Sequence, residues 1–272
     1  MSLDLDRRRR AMLEEIGVRV FAPETDLVEP RAAPAEDAPA GRPRPAQERA
    51  DVAPAGLEPP RVPPATRPAP VVAEAPLRQR VPGVAELEWE ALAQAVAGCR
   101  ACRLCEGRTQ TVFGVGDRQS DWMVIGEAPG ENEDLQGEPF VGQAGKLLDN
   151  MLAALGLGRG KGVYIANVLK CRPPGNRNPL PEEIAQCEPF LRRQVELLRP
   201  RIILAMGRFA VQTLLQSTEP VGRLRGRVHS YNDVPVVVTY HPAYLLRNLP
   251  DKAKAWADLC LAQEVMRGRQ AP

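Results

Sequence analysis

The sequence contains no apolar run near the ~18 residues needed to cross a bilayer. Four arginines (Arg7 to Arg10) open the chain, but the apolar core of about 7–15 residues that would make a secretory signal does not follow. From these two absences we expect neither an integral membrane protein nor a secreted one, but a cytoplasmic protein. Aromatic residues are scarce, at 4% of the chain, and histidine occurs only twice. Between Pro23 and Pro82 aromatics almost vanish, while 15 of the 28 prolines fall there among alanines and arginines. Such a segment cannot bury enough apolar surface to offset its ordering entropy, so residues 21–84 read as a disordered linker. Neither sign of charge dominates: the net charge is +2, the first 84 residues hold 13 basic and 13 acidic side chains, and the rest holds 23 against 21. That balance neither announces nor excludes nucleic acid; local patches can still grip phosphates.

What remains is a short amphipathic helix within residues 1–20, ended by Gly17, and one folded domain over residues 85–272. The arginine run reads as a solvated face, and the N-terminal segment as a tether for a repair or replication partner. From about Val84 helical patterning resumes (VAELEWEALAQAVAGC). Past Cys105, short Val- and Ile-rich runs alternate with amphipathic stretches. Buried strands are expected at Trp122–Ile125, Val163–Ala166, Arg201–Ala205 and Val234–Thr239, and helices at 143–156, 181–198, 208–216 and 251–267. Pro181 suits a first helical turn. Alternation of this kind makes βαβ units, so the fold class is α/β, three layers α/β/α around a short, mainly parallel, four-stranded sheet. Three of those strands run directly into unusual polar sequence: GEAPGENE after the first, Asn167 to Cys171 after the second, His241-Pro242 after the fourth. Open α/β sheets bind ligands beyond the carboxyl ends of their strands, so these segments define one crevice.

Five of the six cysteines lie between Cys99 and Cys187. In a reducing compartment that clustering favours metal over disulfides. Cys99, Cys102 and Cys105 form a C-x2-C-x2-C run, and Cys171 and Cys187 follow with 15 residues between them. A zinc ribbon would show a second tight knuckle, which is missing. Thiolates with prolines nearby (Pro173, Pro189) suit an iron–sulfur cluster better, though zinc and buried structural thiols stay open. Five candidates for four places leave Cys102 and Cys105 undecided. Cys260 lies on one face of the last helix with Trp256 and Leu259 and reads as core.

The motifs GEAPG (Gly126–Gly130), PFVGQAG (Pro139–Gly145), YIANVLKCRPP (Tyr164–Pro174) and HPAYLLR (His241–Arg247) resemble, in order, those of family 4 uracil-DNA glycosylases, the iron–sulfur branch of that superfamily. The resemblance runs from about Cys99 to about Arg267 and does not reach residues 1–84. It implies a monofunctional hydrolase of base-excision repair, acting on uracil-containing DNA without a lyase step, and a monomer. It implies a 4Fe-4S cluster on Cys99, Cys102, Cys171 and Cys187, with Cys105 dispensable.

Residue by residue, the resemblance makes Phe140 the surface on which an extruded uracil stacks. Asn167 becomes the amide that accepts from N3–H and donates to O4, which cytosine cannot match. Gly130 stands where the better-known branch has a tyrosine against the thymine methyl, and Glu133 is expected to take over as that barrier. His241 would donate to uracil O2 as a neutral imidazole, stabilising the charge that develops there. Ala128 stands where the better-known branch has a water-positioning aspartate, so Glu127 or the carbonyls of the GEAPG turn are left to orient the water. Leu245 is expected to wedge into the duplex, with Leu246 and Arg247 as neighbours able to share the task. Arg172 and Arg177, beside the cluster, are expected to meet phosphates. Two rivals follow from the same fold: a binding module that has lost catalysis, and a relative that attaches covalently to DNA through a histidine in a basic loop, for which His229 in GRLRGRVHS is the candidate.

Overall fold

A computed structural model describes residues 82–268, together with Glu15. The expected N-terminal helix and nearly all of the linker lie outside the described residues. The first described residues show that Val84 is already buried, packed with Leu92, Val96 and Phe190.

In chain order the elements are α1 (Trp89–Ala97), α2 (Leu104–Gly107), β1 (Val115–Gly116), β2 (Trp122–Gly126), α3 (Glu131–Gln136), α4 (Gln143–Ala153), β3 (Val163–Asn167), α5 (Pro181–Leu198), β4 (Ile202–Met206), α6 (Arg208–Leu215), α7 (Val221–Leu224), β5 (Val228–Tyr231), β6 (Val234–Thr239), α8 (Pro242–Leu245) and α9 (Lys252–Gly268). The sheet order is β1-β3-β2-β4-β6-β5. The central β3-β2-β4-β6 are mutually parallel, and they are the four strands expected from the apolar runs. Among the described residues the sheet has six strands rather than four, because β1 and β5 add antiparallel edges. The second edge arises from a two-residue turn, Asn232-Asp233, with both residues at positive φ (47° and 63°). That backbone is the one a tight hairpin requires.

Side-chain alternation along the parallel strands divides the core into two layers. Trp122, Val124, Ile165, Leu204 and Val237 face α4 and α9. Met123, Ile125, Ala166, Ile203 and Val238 face α5 and α6. Both faces of the sheet are thus covered, which is why its strands are apolar throughout rather than alternating. Cys260 packs against the first layer. Among the described residues no helix is long and apolar enough to cross a membrane.

Candidate active site

The strands β2 and β3 end in register at Gly126 and Asn167. Their pairing continues beyond both ends, with the Val168 and Leu169 amides donating to the carbonyls of Gly126 (3.0 Å) and Glu127 (3.1 Å). On the other side the Gly207 amide donates to the Thr239 carbonyl (3.0 Å). GEAPG, Asn167-Val-Leu-Lys and Tyr240-His241 therefore leave the same edge of the sheet.

Asn167 is only 2% exposed, yet among the described residues its Oδ1 has no hydrogen-bond partner. A buried acceptor left open in this way costs stability, and its persistence at a strand end points to a ligand. Gly126 makes the arrangement possible: a Cβ there would stand 2.8 Å from Phe140 Cε2 and closer still to Phe140 Cζ and Asn167 Oδ1. Phe140 is itself 5% exposed, and its ring stacks on that of His241 with centroids 5.3 Å apart and planes 28° from parallel.

His241 caps the N-terminus of α8, accepting at Nδ1 from the Ala243 amide (3.2 Å). This fixes the tautomer, leaving Nε2 to carry the proton. Burial lowers the His241 pKa to about 4; the Arg247 charge pushes the same way and Glu133 opposes. The ring is a neutral donor at ordinary pH. Gly207, at φ 86°, lies against it: a Cβ there would be 2.9 Å from His241 Cβ.

The Glu133 carboxylate accepts from the amides of Gly130 (3.1 Å), Val141 (3.0 Å) and Gly142 (3.2 Å), joining the two loops of the crevice. A Cβ on Gly130 would be 2.7 Å from Glu133 Oε2, so this carboxylate fills the volume that a side chain at position 130 would need. Burial raises the Glu127 pKa, and Arg208 opposes the shift. Ala128 turns away, packing with Leu104, Leu169 and Cys171.

Three expectations about DNA-facing residues change. Leu245 is 1% exposed and sits in the core with Phe140 and Trp256, whereas Leu246 is 42% exposed. In a one-turn helix Pro242 and Leu245 share the inward side, so the next leucine is the one that reaches solvent. Arg247 is exposed, as a phosphate contact needs to be. Arg172 instead donates to Asn176 Oδ1 (2.8 Å) and pairs with Glu131 (3.6 Å). Arg177 is held by both oxygens of the buried Glu183 (2.9 and 2.6 Å). His229 lies in β5 with Nε2 2.7 Å from the Leu224 carbonyl, so that nitrogen is a donor and not a free nucleophile.

Behind the crevice, Cys99, Cys102, Cys105, Cys171 and Cys187 all line one cavity, with Phe190, Leu169 and Val96 closing it. Burial pushes the Cys102 thiol up to about 11 and Cys187 to about 12, and raises Cys171 as well. These are neutral thiols unless a cation converts them to thiolates. Donors already face the sulfurs: Arg108 Nη1 lies 3.0 Å from Cys171 Sγ, the Lys170 amide lies 3.2 Å from Cys187 Sγ, and the Leu104 amide bonds the Cys102 sulfur. Arg108 Nη2 also donates to the carbonyls of Ala97 and Cys99. Among the described residues, no three His, Cys, Asp or Glu side chains stand close enough to hold a single metal ion.

Sequence reasoning missed Arg108 and Lys170. Lys170 is 1% exposed, and its ammonium donates to Gln194 Oε1 (2.6 Å) and the carbonyls of Asn167 (2.8 Å) and Phe113 (3.3 Å). A lysine inside the otherwise apolar run NVLKC was the available signal, since a fully buried charge must be partnered. Arg108, three residues past Cys105, carries no comparable mark.

The sequence profile described as the uracil DNA glycosylase superfamily matches residues 113–260, more than half of the chain. The chain therefore belongs to the uracil DNA glycosylase superfamily. Within it, the similarity is to type-4 members. It is 46% identical over 159 residues to a type-4 uracil-DNA glycosylase of Archaeoglobus fulgidus, covering 56% of this chain and 79% of that one. It is 41% identical over 187 residues to the Saccharolobus solfataricus type-4 enzyme, covering 65% and 86%. Over 161 residues it is 42% identical to that of Thermotoga maritima, covering 58% and 83%.

Proposed function

We propose that this protein is a uracil-DNA glycosylase that hydrolyses the N-glycosidic bond of uracil in DNA and leaves an abasic site. The observation that carries the reading is the juxtaposition of an unpartnered Asn167 Oδ1 at the end of β3, the neutral His241 just past β6 and the Phe140 ring from the loop before α4. With the nucleotide extruded, Asn167 Oδ1 accepts from uracil N3–H while its amide donates to O4. Cytosine presents an acceptor and a donor in the reverse places, which would leave two buried groups unsatisfied. Phe140 supplies the stacking face. As the bond lengthens, His241 Nε2–H donates to O2, stabilising the charge that develops on the base. Glu127, kept at raised pKa by burial, or the carbonyls of the GEAPG turn orient the water. Glu133 and Gly130 close the space beside C5 against thymine. Leu246, with Arg247, takes the wedge role.

We assign no lyase step. Lys170, the lysine nearest Asn167, has its ammonium taken up by three acceptors and is not a free nucleophile. We also propose that Cys99, Cys102, Cys171 and Cys187 hold a 4Fe-4S cluster. The five-cysteine cavity and the N–H groups aimed at two of its sulfurs fit such a group. When bound it would supply a cross-link between the segment before β1, the loop after β3 and helix α5; breaking an N-glycosidic bond by water needs no electron transfer. We place the protein in the cytoplasm as a monomer, with the N-terminal segment recruiting a repair or replication partner.

The test is uracil release from an end-labelled oligonucleotide, scored as alkali-sensitive breaks, with thymine and cytosine in matched positions. Breaks at uracil alone are expected. Protein that retains its iron yet makes no breaks would overturn the reading, and a band shifted on a denaturing gel would replace it with covalent attachment.

A further inference from the structure

Phe140 holds a backbone conformation that its side chain disfavours, with φ at 57°. A non-glycine residue in the left-handed region is strained and persists only where its surroundings impose it. Two features impose it here. At Gly145, in the first turn of α4, a Cβ would overlap the Phe140 carbonyl and stand 3.1 Å from Phe140 Cα, so the turn closes onto bare backbone. The second is Arg159, in the loop after α4. Its Nη2 donates to the Phe140 carbonyl, its Nη1 to the Pro139 carbonyl (2.8 Å), and its Nε to Asp149 Oδ1 (2.7 Å). The guanidinium fork thus captures two successive carbonyls of the loop that enters the helix, while Asp149 on α4 orients the fork.

We propose that Arg159, oriented by Asp149, is a positioning residue for the base platform: it locks the Pro139–Phe140 peptide so that the Phe140 ring faces Gly126 and stacks on His241. The inference deepens the glycosylase reading and rests on it. Without the clamp the Phe140 backbone relaxes toward negative φ, which rotates the ring off its neighbours. The pair lies outside every motif that carried the family resemblance. Lysine does not substitute for arginine here, because one ammonium cannot present a rigid fork to three acceptors.

The experiment compares wild type with Arg159→Ala, Arg159→Lys, Asp149→Asn and Phe140→Ala. Three quantities are read: inhibition by free uracil, affinity for duplex carrying a tetrahydrofuran abasic analogue, and single-turnover excision with and without added guanidinium chloride at millimolar concentration. Free uracil reports on the base pocket alone, and the abasic duplex reports on DNA binding with no base to stack. In both Arg159 variants the uracil inhibition constant should rise and excision should slow by about 10- to 100-fold. Abasic-duplex affinity should stay at the wild-type value. Guanidinium should partly restore excision to Arg159→Ala and not to Phe140→Ala. Asp149→Asn, which keeps the fork but loosens it, should fall between. Unchanged uracil inhibition in these variants, beside an active wild type, overturns the proposal alone. Equal losses of uracil and abasic-duplex binding also overturn it, because the pair would then hold the domain and not the platform. A wild type that releases no uracil overturns the glycosylase reading and this inference together.

Discussion

Replacing Gly126 by alanine adds one methyl group at the closest point of the crevice. Gly126 sits at the end of β2 and is absent from the glycines with positive φ, so the change brings no backbone strain. Its whole effect is steric. The new Cβ would stand 2.8 Å from Phe140 Cε2, and closer to Phe140 Cζ and Asn167 Oδ1. Ordinary carbon contacts begin at about 3.5 Å, so the ring or the amide must retreat by roughly 1 Å. Overpacking of that size costs about 1–3 kcal/mol of stability, or roughly 2–12 °C in Tm for a domain of this size. The catalytic cost is larger, because a displacement near 1 Å at the reacting base lowers the rate by about 100-fold. Single-turnover excision from a uracil oligonucleotide, read beside thermal unfolding, separates the two effects. Gly107→Ala is the control, since a Cβ there meets nothing within 4 Å. In a Phe140→Ala background the Gly126→Ala penalty should shrink, as expected for two groups in contact. Wild-type excision by Gly126→Ala would refute the claim that Phe140 and Asn167 converge on this glycine to form the pocket.

Four further outcomes follow. His241, with its pKa lowered to about 4, should leave no acid limb near pH 6.5 in the pH–rate profile, and His241→Gln should slow excision by about 100-fold or more. Because burial penalises the imidazolium, the wild type should lose stability as pH falls from about 6.5 to 4, by at most about 3 kcal/mol and less after solvent screening, a loss that the denaturation midpoints of His241→Gln should not show. Leu245→Ala should cost about 2–5 kcal/mol in urea unfolding, whereas Leu246→Ala should be nearly neutral in stability and slow excision from duplex more than from single strands. Lys170→Met strands the Asn167 carbonyl and Gln194 Oε1 and should cost about 2–3 kcal/mol, measured by the same unfolding. Cys105→Ala should keep the iron content and brown colour of the purified protein, while Cys187→Ala should lose both.

The parallel strands were legible because burial on both faces leaves runs such as WMVIG and IILAM with no polar interruption. The edges were not: β1 is two residues long, and β5 is a partly exposed VHSY in a basic stretch. The crevice could be located because Gly-rich and polar sequence follows three apolar runs directly, a pattern with few uses other than a ligand site. The orientation of α8 could not, since a tetrapeptide has no period to say which of Leu245 and Leu246 faces solvent. Arg108 and Arg159 escaped for a different reason. Their partners are mainly backbone carbonyls, which every residue has, so no spacing or composition marks the pairing in advance.

The parallel order of the sheet has a consequence for how activity is acquired. Gly126 and Asn167 lie on neighbouring strands, but His241 follows β6, two strands beyond β2 and 115 residues downstream of Gly126. No contiguous fragment shorter than that span holds all three. Contacts so distant in sequence form late, because the chain between them must first be closed into a loop. During refolding, excision should therefore lag behind helix formation and appear only when the last parallel strand has docked. The reaction itself then reports, without any added probe, that the whole sheet is in place.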